Sequence, residues 1–264
     1  MRTKLLAALA LAGLLASATA CGGDDTASAP AGGSSPAGGV RGPITVLAAA
    51  SLTGSFDRIG KDFEAANPQA KVTFSYGGSS GLAQQITSGA PADVFAAASP
   101  ATMKTVTDAG DATGAPATFV KNQLVIAVPK GNPKGLSSLD ALAKSEIKVA
   151  LCAEQVPCGA AAKKALDAAG VKITPVTQEQ DVKAALAKVK LGEVDAALVY
   201  RTDAKAAAAD VEGIEFPESA GAINDYPIVA LKDAPNPAGA AAFVAFVQGP
   251  QAQQVLADAG FQKP

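Results

Sequence analysis

The stretch Pro43–Leu52, PITVLAAASL, decides how the rest of the chain is organised. Its first half, Ile44–Leu47, is a short apolar run rich in β-branched residues, which is typical of a buried parallel strand. Three alanines and Ser51 follow, and apolar residues then recur at helical spacing over residues 52–63. A strand that passes through small residues into a helix leaves the first N–H groups of that helix free. We therefore predict an anion-binding turn at Ser51, whose hydroxyl adds a further donor.

Apolar strands and amphipathic helices alternate outward from this stretch. A first series ends in the apolar segment Gln123–Val128. In a second series we predict a strand at Val171–Val176, a helix at Asp181–Leu191 and a strand at Ala196–Tyr200, before a late apolar segment at Ile223–Leu231. Alternation of this kind predicts an α/β fold with parallel sheets. The two long apolar segments predict two lobes joined by two crossovers.

The first 20 residues have the pattern of a secretory signal peptide. Arg2 and Lys4 form a positively charged start, and an apolar run follows over residues 5–15. That run is too short for a membrane-spanning helix. The mature protein is therefore expected outside the cytoplasm.

Cys21 follows two small residues, as the lipidated cysteine of bacterial lipoproteins does. Ala18 departs from the leucine usual there, so plain cleavage after Ala20 remains an alternative. Residues 21–42, rich in Gly, Ser, Ala and Pro, predict a flexible tether that cannot pack a core. We expect a globular body anchored through Cys21 to the outer face of the membrane, or else a secreted or periplasmic protein.

The charge balance argues against nucleic acid as a partner. Without Arg2 and Lys4, 20 of the 22 basic residues remain against 24 acidic ones, and no basic run is present. A protein of net negative charge must bind an anion through local donors and not through its overall field.

The chain has three cysteines, an odd number, so they cannot all be paired in disulfides within one exported chain. If Cys21 is lipidated, Cys152 and Cys158 remain, and they are expected to form a disulfide, which the compartment permits. Metal binding is the weaker alternative, because the chain has no histidine to complete a soft site. No metal-cation site is predicted.

The glycine-rich segment Gly77–Gly81, GGSSG, matches the nucleophile-elbow pattern of serine hydrolases. With no histidine in the chain, a Ser-His-acid triad cannot form, so a hydrolase using Ser79 is an unfavoured alternative. The segment is better explained as a second oxyanion-binding turn. The turns at Val156–Gly159 and Gln180–Val182 also begin predicted helices, and Tyr200 ends a strand at the sheet edge where α/β folds bind ligands.

Taken in order, these residues resemble the molybdate-binding proteins of bacterial ABC importers, a group of type II periplasmic solute-binding proteins. The resemblance covers the chain from about Ile44 to its C-terminus. Its most specific segments are Ala48–Thr53, Gly89–Phe95, Val156–Gly159, Asp181–Val182 and Phe216–Glu218.

The resemblance implies a two-lobed fold, each lobe a mostly parallel sheet flanked by helices, with the ligand cleft between the lobes. We place lobe 1 at residues 43–122 plus 229–264 and lobe 2 at residues 123–228. In such proteins hydrogen bonds alone hold the tetrahedral dianion. By position, the implied donors for molybdate are the backbone and hydroxyl of Ser51 and Ser79, the N–H groups of Cys158 and Val182, and the hydroxyl of Tyr200.

The resemblance also implies a receptor for molybdate, and for tungstate, that delivers the anion to a membrane permease. Such a protein is a monomer, is not an enzyme and needs no cofactor. Three alternatives remain: a receptor of the same fold for sulfate or another oxyanion, the serine hydrolase already named, and an extracytoplasmic adhesion or structural protein.

Overall fold

The computed structural model describes residues 39–264, so the predicted leader 1–20, Cys21 and most of the tether 21–42 lie outside the described residues. The strands are β1 (Arg41–Ala49), β2 (Gln69–Gly77), β3 (Val94–Ala96), β4 (Ala112–Asn122), β5 (Leu124–Pro129), β6 (Val149–Cys152), β7 (Thr177–Glu179), β8 (Ala196–Tyr200), β9 (Val211–Ile214) and β10 (Asn224–Leu231).

The α-helices are α1 (Thr53–Ala66), α2 (Ser79–Thr87), α3 (Pro100–Asp108), α4 (Leu139–Leu142), α5 (Pro157–Ala169), α6 (Val182–Lys190), α7 (Arg201–Ala206), α8 (Pro237–Gln248) and α9 (Pro250–Ala259). Short 3₁₀ helices occur at Ala50–Leu52 and Pro217–Ala222. Within residues 39–264, no helix is long and apolar enough to cross a membrane.

The strands form two five-stranded sheets, ordered β2-β1-β3-β10-β4 and β7-β6-β8-β5-β9. In each sheet four strands run in one direction and one strand opposes them. The opposing strands are β10 and β5, the two long apolar segments of the sequence. The expected α/β class with mostly parallel sheets is therefore confirmed.

The chain passes from the first sheet to the second at Gln123, between β4 and β5. It returns between β9 and β10. Because β10 pairs with the first sheet from Asn224 to Leu231, the predicted lobe boundary after residue 228 falls inside a strand. At the other end, β1 already pairs with β2 at Arg41, so the ordered body begins before Pro43.

The core forms on both faces of β1, which lies between β2 and β3. Ile44 and Val46 are fully buried on one face, in a cluster that includes Phe56 of α1. Leu47 points to the opposite face, in a second cluster with Phe95. Burial on both faces explains why this strand is continuously apolar.

Two segments differ from what their sequences predict. β4 was not predicted, because Gly114 and Pro116 interrupt its apolar pattern. An edge strand tolerates both residues, since one side of its backbone needs no partner strand. The strand predicted at Val171–Val176 is wrong: the Val176 N–H donates to the Val149 carbonyl, and the strand that pairs with β6 begins at Thr177, after Pro175, which lacks an N–H.

Candidate functional site

One cavity lies where the carboxyl ends of parallel strands from both sheets meet. Its empty volume, which includes the part open to solvent, is about 220 Å³. All the residues predicted to bind the anion line this cavity, and none is more than 6% exposed: Ser51, Ser79, Cys158, Val182 and Tyr200. The two serines follow strands β1 and β2 of the first sheet. The other three follow strands β6 and β7 of the second sheet or end its strand β8.

Helix N-termini from both sheets reach the cavity. The 3₁₀ helix that leads into α1 begins at Ala50, and α2 begins at Ser79. On the opposite wall α5 begins at Pro157 and α6 at Val182. The first amides of a helix have no carbonyl partner within it, and the helix dipole adds partial positive charge there. Four such starts around one cavity make it suited to an anion.

The Ser79 hydroxyl is held as a donor. Its Oγ accepts a hydrogen bond of 3.0 Å from the Ala98 N–H, and both residues line the cavity. With that oxygen already accepting, the hydroxyl proton is free to be donated to a ligand.

A similar arrangement lies behind Ser51 and includes a residue that sequence reasoning missed. The Ser51 Oγ is 2.9 Å from the hydroxyl of Tyr226, and Asn122 Nδ2 lies 3.5 Å behind that hydroxyl. Because the Asn122 amide donates to Tyr226, Tyr226 can donate to Ser51, which leaves the Ser51 proton for the cavity.

Tyr200 closes the cavity from the second sheet. Burial is the main cause that raises the pKa of the Tyr200 hydroxyl well above its ordinary value, and the neighbouring Tyr226 is the second cause. This group is therefore protonated at neutral pH. Its oxygen accepts a hydrogen bond of 2.7 Å from Asn224 Nδ2. Asn224 was not predicted as a site residue either. The one feature of the sequence that could have pointed to Asn224 is that it is a polar residue at the start of an apolar strand.

None of the described residues that line the cavity is basic. Lys183 follows Val182 but forms an ion pair of 2.8 Å with Asp203, which is fully buried. Burial raises the pKa of Asp203, and the charge of Lys183 opposes that shift. Asp181 lines the cavity, but its carboxylate accepts from the Ala184 N–H and caps α6. An anion would therefore be held by neutral donors.

A disulfide braces one wall of the cavity. Cys152, the last residue of β6, is bonded to Cys158 in the first turn of α5, and their Cα atoms are 5.7 Å apart. The bond ties the free amide of Cys158 to the end of a buried strand. Within residues 39–264, no cluster of His, Cys, Asp or Glu suitable for a metal ion is found.

The two walls touch at the rim of the cavity. The Ser80 hydroxyl donates to the Gln155 carbonyl at 2.5 Å. Gly78 lies so close to the Gln180 carbonyl that a Cβ on this glycine would be 2.1 Å from the oxygen. These contacts join elements of the two sheets, so the structure has a closed cleft.

Comparisons with known proteins agree with this architecture. Residues 44–262 match the family described as bacterial extracellular solute-binding protein. This chain belongs to that family. This solute-binding protein is 43% identical over 264 residues to the molybdate-binding protein ModA of Mycobacterium tuberculosis. The alignment covers 100% of this chain and 98% of that protein.

Solved structures share the fold of this solute-binding protein. The periplasmic molybdate-binding protein of Azotobacter vinelandii superposes with a TM-score of 0.73 at 24% identity, covering 84% of this chain and 99% of that one. The sulfate-binding protein SubI of M. tuberculosis superposes with a TM-score of 0.70 at 20% identity, covering 84% and 86%. Identities this low establish the fold alone. The family places the protein outside the cytoplasm, as the sequence predicted.

Proposed function

We propose that this solute-binding protein captures molybdate outside the cytoplasm and delivers it to the membrane permease of an ABC importer. One observation carries the proposal: Ser51, Ser79, Cys158, Val182 and Tyr200 line one cavity, and none of its lining residues within 39–264 is basic. The likeness to curated molybdate-binding proteins over their full length supports the choice of anion.

The energetics of a dianion fit a site made of hydrogen bonds. Stripping water from an ion costs several kcal/mol, and a dianion costs more. Each serine can donate through its amide and its hydroxyl, and Cys158, Val182 and Tyr200 can donate once each. These roughly seven bonds, at about 1.5–3 kcal/mol each, can offset that cost without a salt bridge.

Selectivity follows from the direction of the hydrogen bonds and from size. A monoprotonated oxyanion would turn its proton towards the amides and hydroxyls that are proposed to donate to it, and an unpartnered buried proton donor is unfavourable. Sulfate carries no proton at neutral pH, so the size of the cavity has to discriminate against it. We extend the proposal to tungstate, which has the charge and shape of molybdate.

Titration calorimetry at neutral pH with molybdate, tungstate and sulfate tests the proposal. We expect molybdate and tungstate to bind tightly and sulfate to bind more weakly than either. Sulfate binding as tight as molybdate would favour the alternative receptor, and no heat or thermal shift with any oxyanion would favour an adhesion or structural role.

We also propose that the protein is not an enzyme. The Ser79 hydroxyl accepts from a backbone amide, and the chain has no histidine to act as its base. Ester turnover that disappears in Ser79→Ala would contradict this.

The remaining features of the proposal concern attachment and organisation. We propose a monomer whose two lobes close on the anion, with the return crossing placed before Asn224. We propose that lipidated Cys21 and the following tether hold it on the outer face of the membrane. Release of a Cys21→Ser variant into the medium, with the wild-type protein retained in the membrane fraction, would test the anchor.

A further inference from the structure

We propose that Asn224 is a positioning residue that turns the Tyr200 hydroxyl towards the bound anion. This inference rests on the proposed function, because it concerns the same cavity. Asn224 is not one of the residues that line the cavity; it lies behind it, 8% exposed, at the start of β10.

The surroundings of Asn224 fix the orientation of its side-chain amide. The Nδ2 atom lies 2.7 Å from the Ala98 carbonyl oxygen and 3.4 Å from the Pro157 carbonyl oxygen. Carbonyl oxygens only accept hydrogen bonds, so the atom facing them is the NH₂ nitrogen. The same nitrogen lies 2.7 Å from the Tyr200 hydroxyl and donates to it.

This donation decides which way the Tyr200 proton points. The hydroxyl oxygen already accepts from Asn224, so its own proton turns away from that amide, and Tyr200 lines the cavity. An acceptor in place of Asn224 would reverse the arrangement, because the Tyr200 proton would be donated backwards into the protein. A chemically neutral amide thereby makes Tyr200 a donor to the anion.

Asn224 also spans the two walls of the cavity. It begins β10 of the first sheet, and Ala98 follows β3 of that sheet, whereas Tyr200 ends β8 of the second sheet and Pro157 begins α5, which follows β6. The Pro157 carbonyl, 3.4 Å from Asn224 Nδ2, is part of the same peptide group as the Cys158 N–H. The Tyr200 hydroxyl is therefore oriented when the second wall meets the first.

A double-mutant cycle with molybdate as the probe tests the assignment. Asn224→Leu removes the donor at similar volume without adding charge, and we expect it to weaken molybdate binding about 10- to 150-fold, the range for one hydrogen bond to a charged group. In a Tyr200→Phe background the same substitution is expected to cost no more than about three-fold, because the hydroxyl on which it acts is gone.

Two further variants complete the design. Asn224→Asp is almost isosteric, accepts where asparagine donates, and keeps the test possible if the leucine variant does not fold. We expect it to lose at least as much affinity as Asn224→Leu. The matched control is Asp225→Asn, the next residue on the same strand, which is expected to bind like the wild type.

The outcomes separate this inference from the proposed function. Wild-type affinity in a folded Asn224→Leu variant, or equal losses with and without the Tyr200 hydroxyl, would overturn the positioning role and leave the molybdate receptor intact. Absence of molybdate binding by the wild-type protein would overturn both.

Discussion

Substituting Gly78 with alanine should impair closure of the cleft without harming either wall. Gly78 precedes α2 with φ −63° and ψ 126°, a conformation that alanine adopts readily. The obstacle lies across the cleft, where the new Cβ would be 2.1 Å from the Gln180 carbonyl oxygen. The substitution is therefore compatible with the local backbone conformation and hinders only the approach of Gly78 to Gln180 across the cleft.

The expected magnitude follows from the distances. An ordinary contact begins at 3.4 Å, so the Cβ and the oxygen have to separate by about 1.3 Å. Val182 lies two residues beyond Gln180 and moves with it, so a hydrogen bond of about 2.9 Å from its amide to the anion would stretch beyond about 4 Å. Loss of one such bond costs about 1.5–3 kcal/mol, which is a 10- to 150-fold loss of affinity.

Calorimetric titration with molybdate, combined with thermal unfolding of the ligand-free protein, measures this effect. The control is Gly81→Ala in α2, the helix that Gly78 precedes, where an added Cβ would meet nothing within 4 Å. We expect the control to bind like the wild type and Gly78→Ala to melt close to the wild-type temperature without ligand. Unchanged molybdate affinity in Gly78→Ala would refute the reasoning that this close approach is needed for binding.

Three further predictions concern the site and its support. Ser79→Ala should weaken molybdate binding about 10- to 150-fold, as measured by calorimetry, because it removes a donor to the charged ligand; equal affinity would remove this hydroxyl from the site. Replacing Cys152 and Cys158 together with alanine should lower the free energy of unfolding by about 2 kcal/mol in chemical denaturation, with an added reductant having no further effect. Melting temperatures unaltered by the double replacement would show that the bond adds no stability. The pKa of Glu64 is lowered mainly by the hydrogen bond from the Val72 N–H, so its contribution is present at neutral pH and lost as pH falls through that lowered pKa. Glu64→Gln should therefore reduce stability by about 0.5–1.5 kcal/mol at pH 7 and by less in acid, and a pH-independent difference in unfolding free energy would contradict the assignment.

The sequence predicted those parts of the site that depend on local pattern. Ser51 follows a buried strand through small residues, and Ser79 lies in a glycine-rich turn before an amphipathic helix. Both features are visible within ten residues, because the strand, the turn and the helix are consecutive in the chain. The family and the fold class followed from the same segments and are confirmed.

The residues that the sequence did not reveal act across the fold. Asn224 and Tyr226 lie on β10, and their roles depend on which strands that segment meets after the chain has crossed between the sheets twice. Nothing in the local pattern of an apolar strand indicates that its first polar residues will contact Tyr200 or Ser51. Long-range pairing decides this, and hydrophobic periodicity carries no information about it.

The main-chain donors of the cavity have an evolutionary consequence. Cys158 and Val182 would offer the anion only their amides, and these depend on where a helix begins and not on which side chain the residue carries. A substitution at either position can change the packing or remove the disulfide while the amide stays in place, so divergent receptors can keep one recognition chemistry behind dissimilar residues. Moving the first turn of α5 or α6 by one residue would do more harm to uptake than most replacements within it.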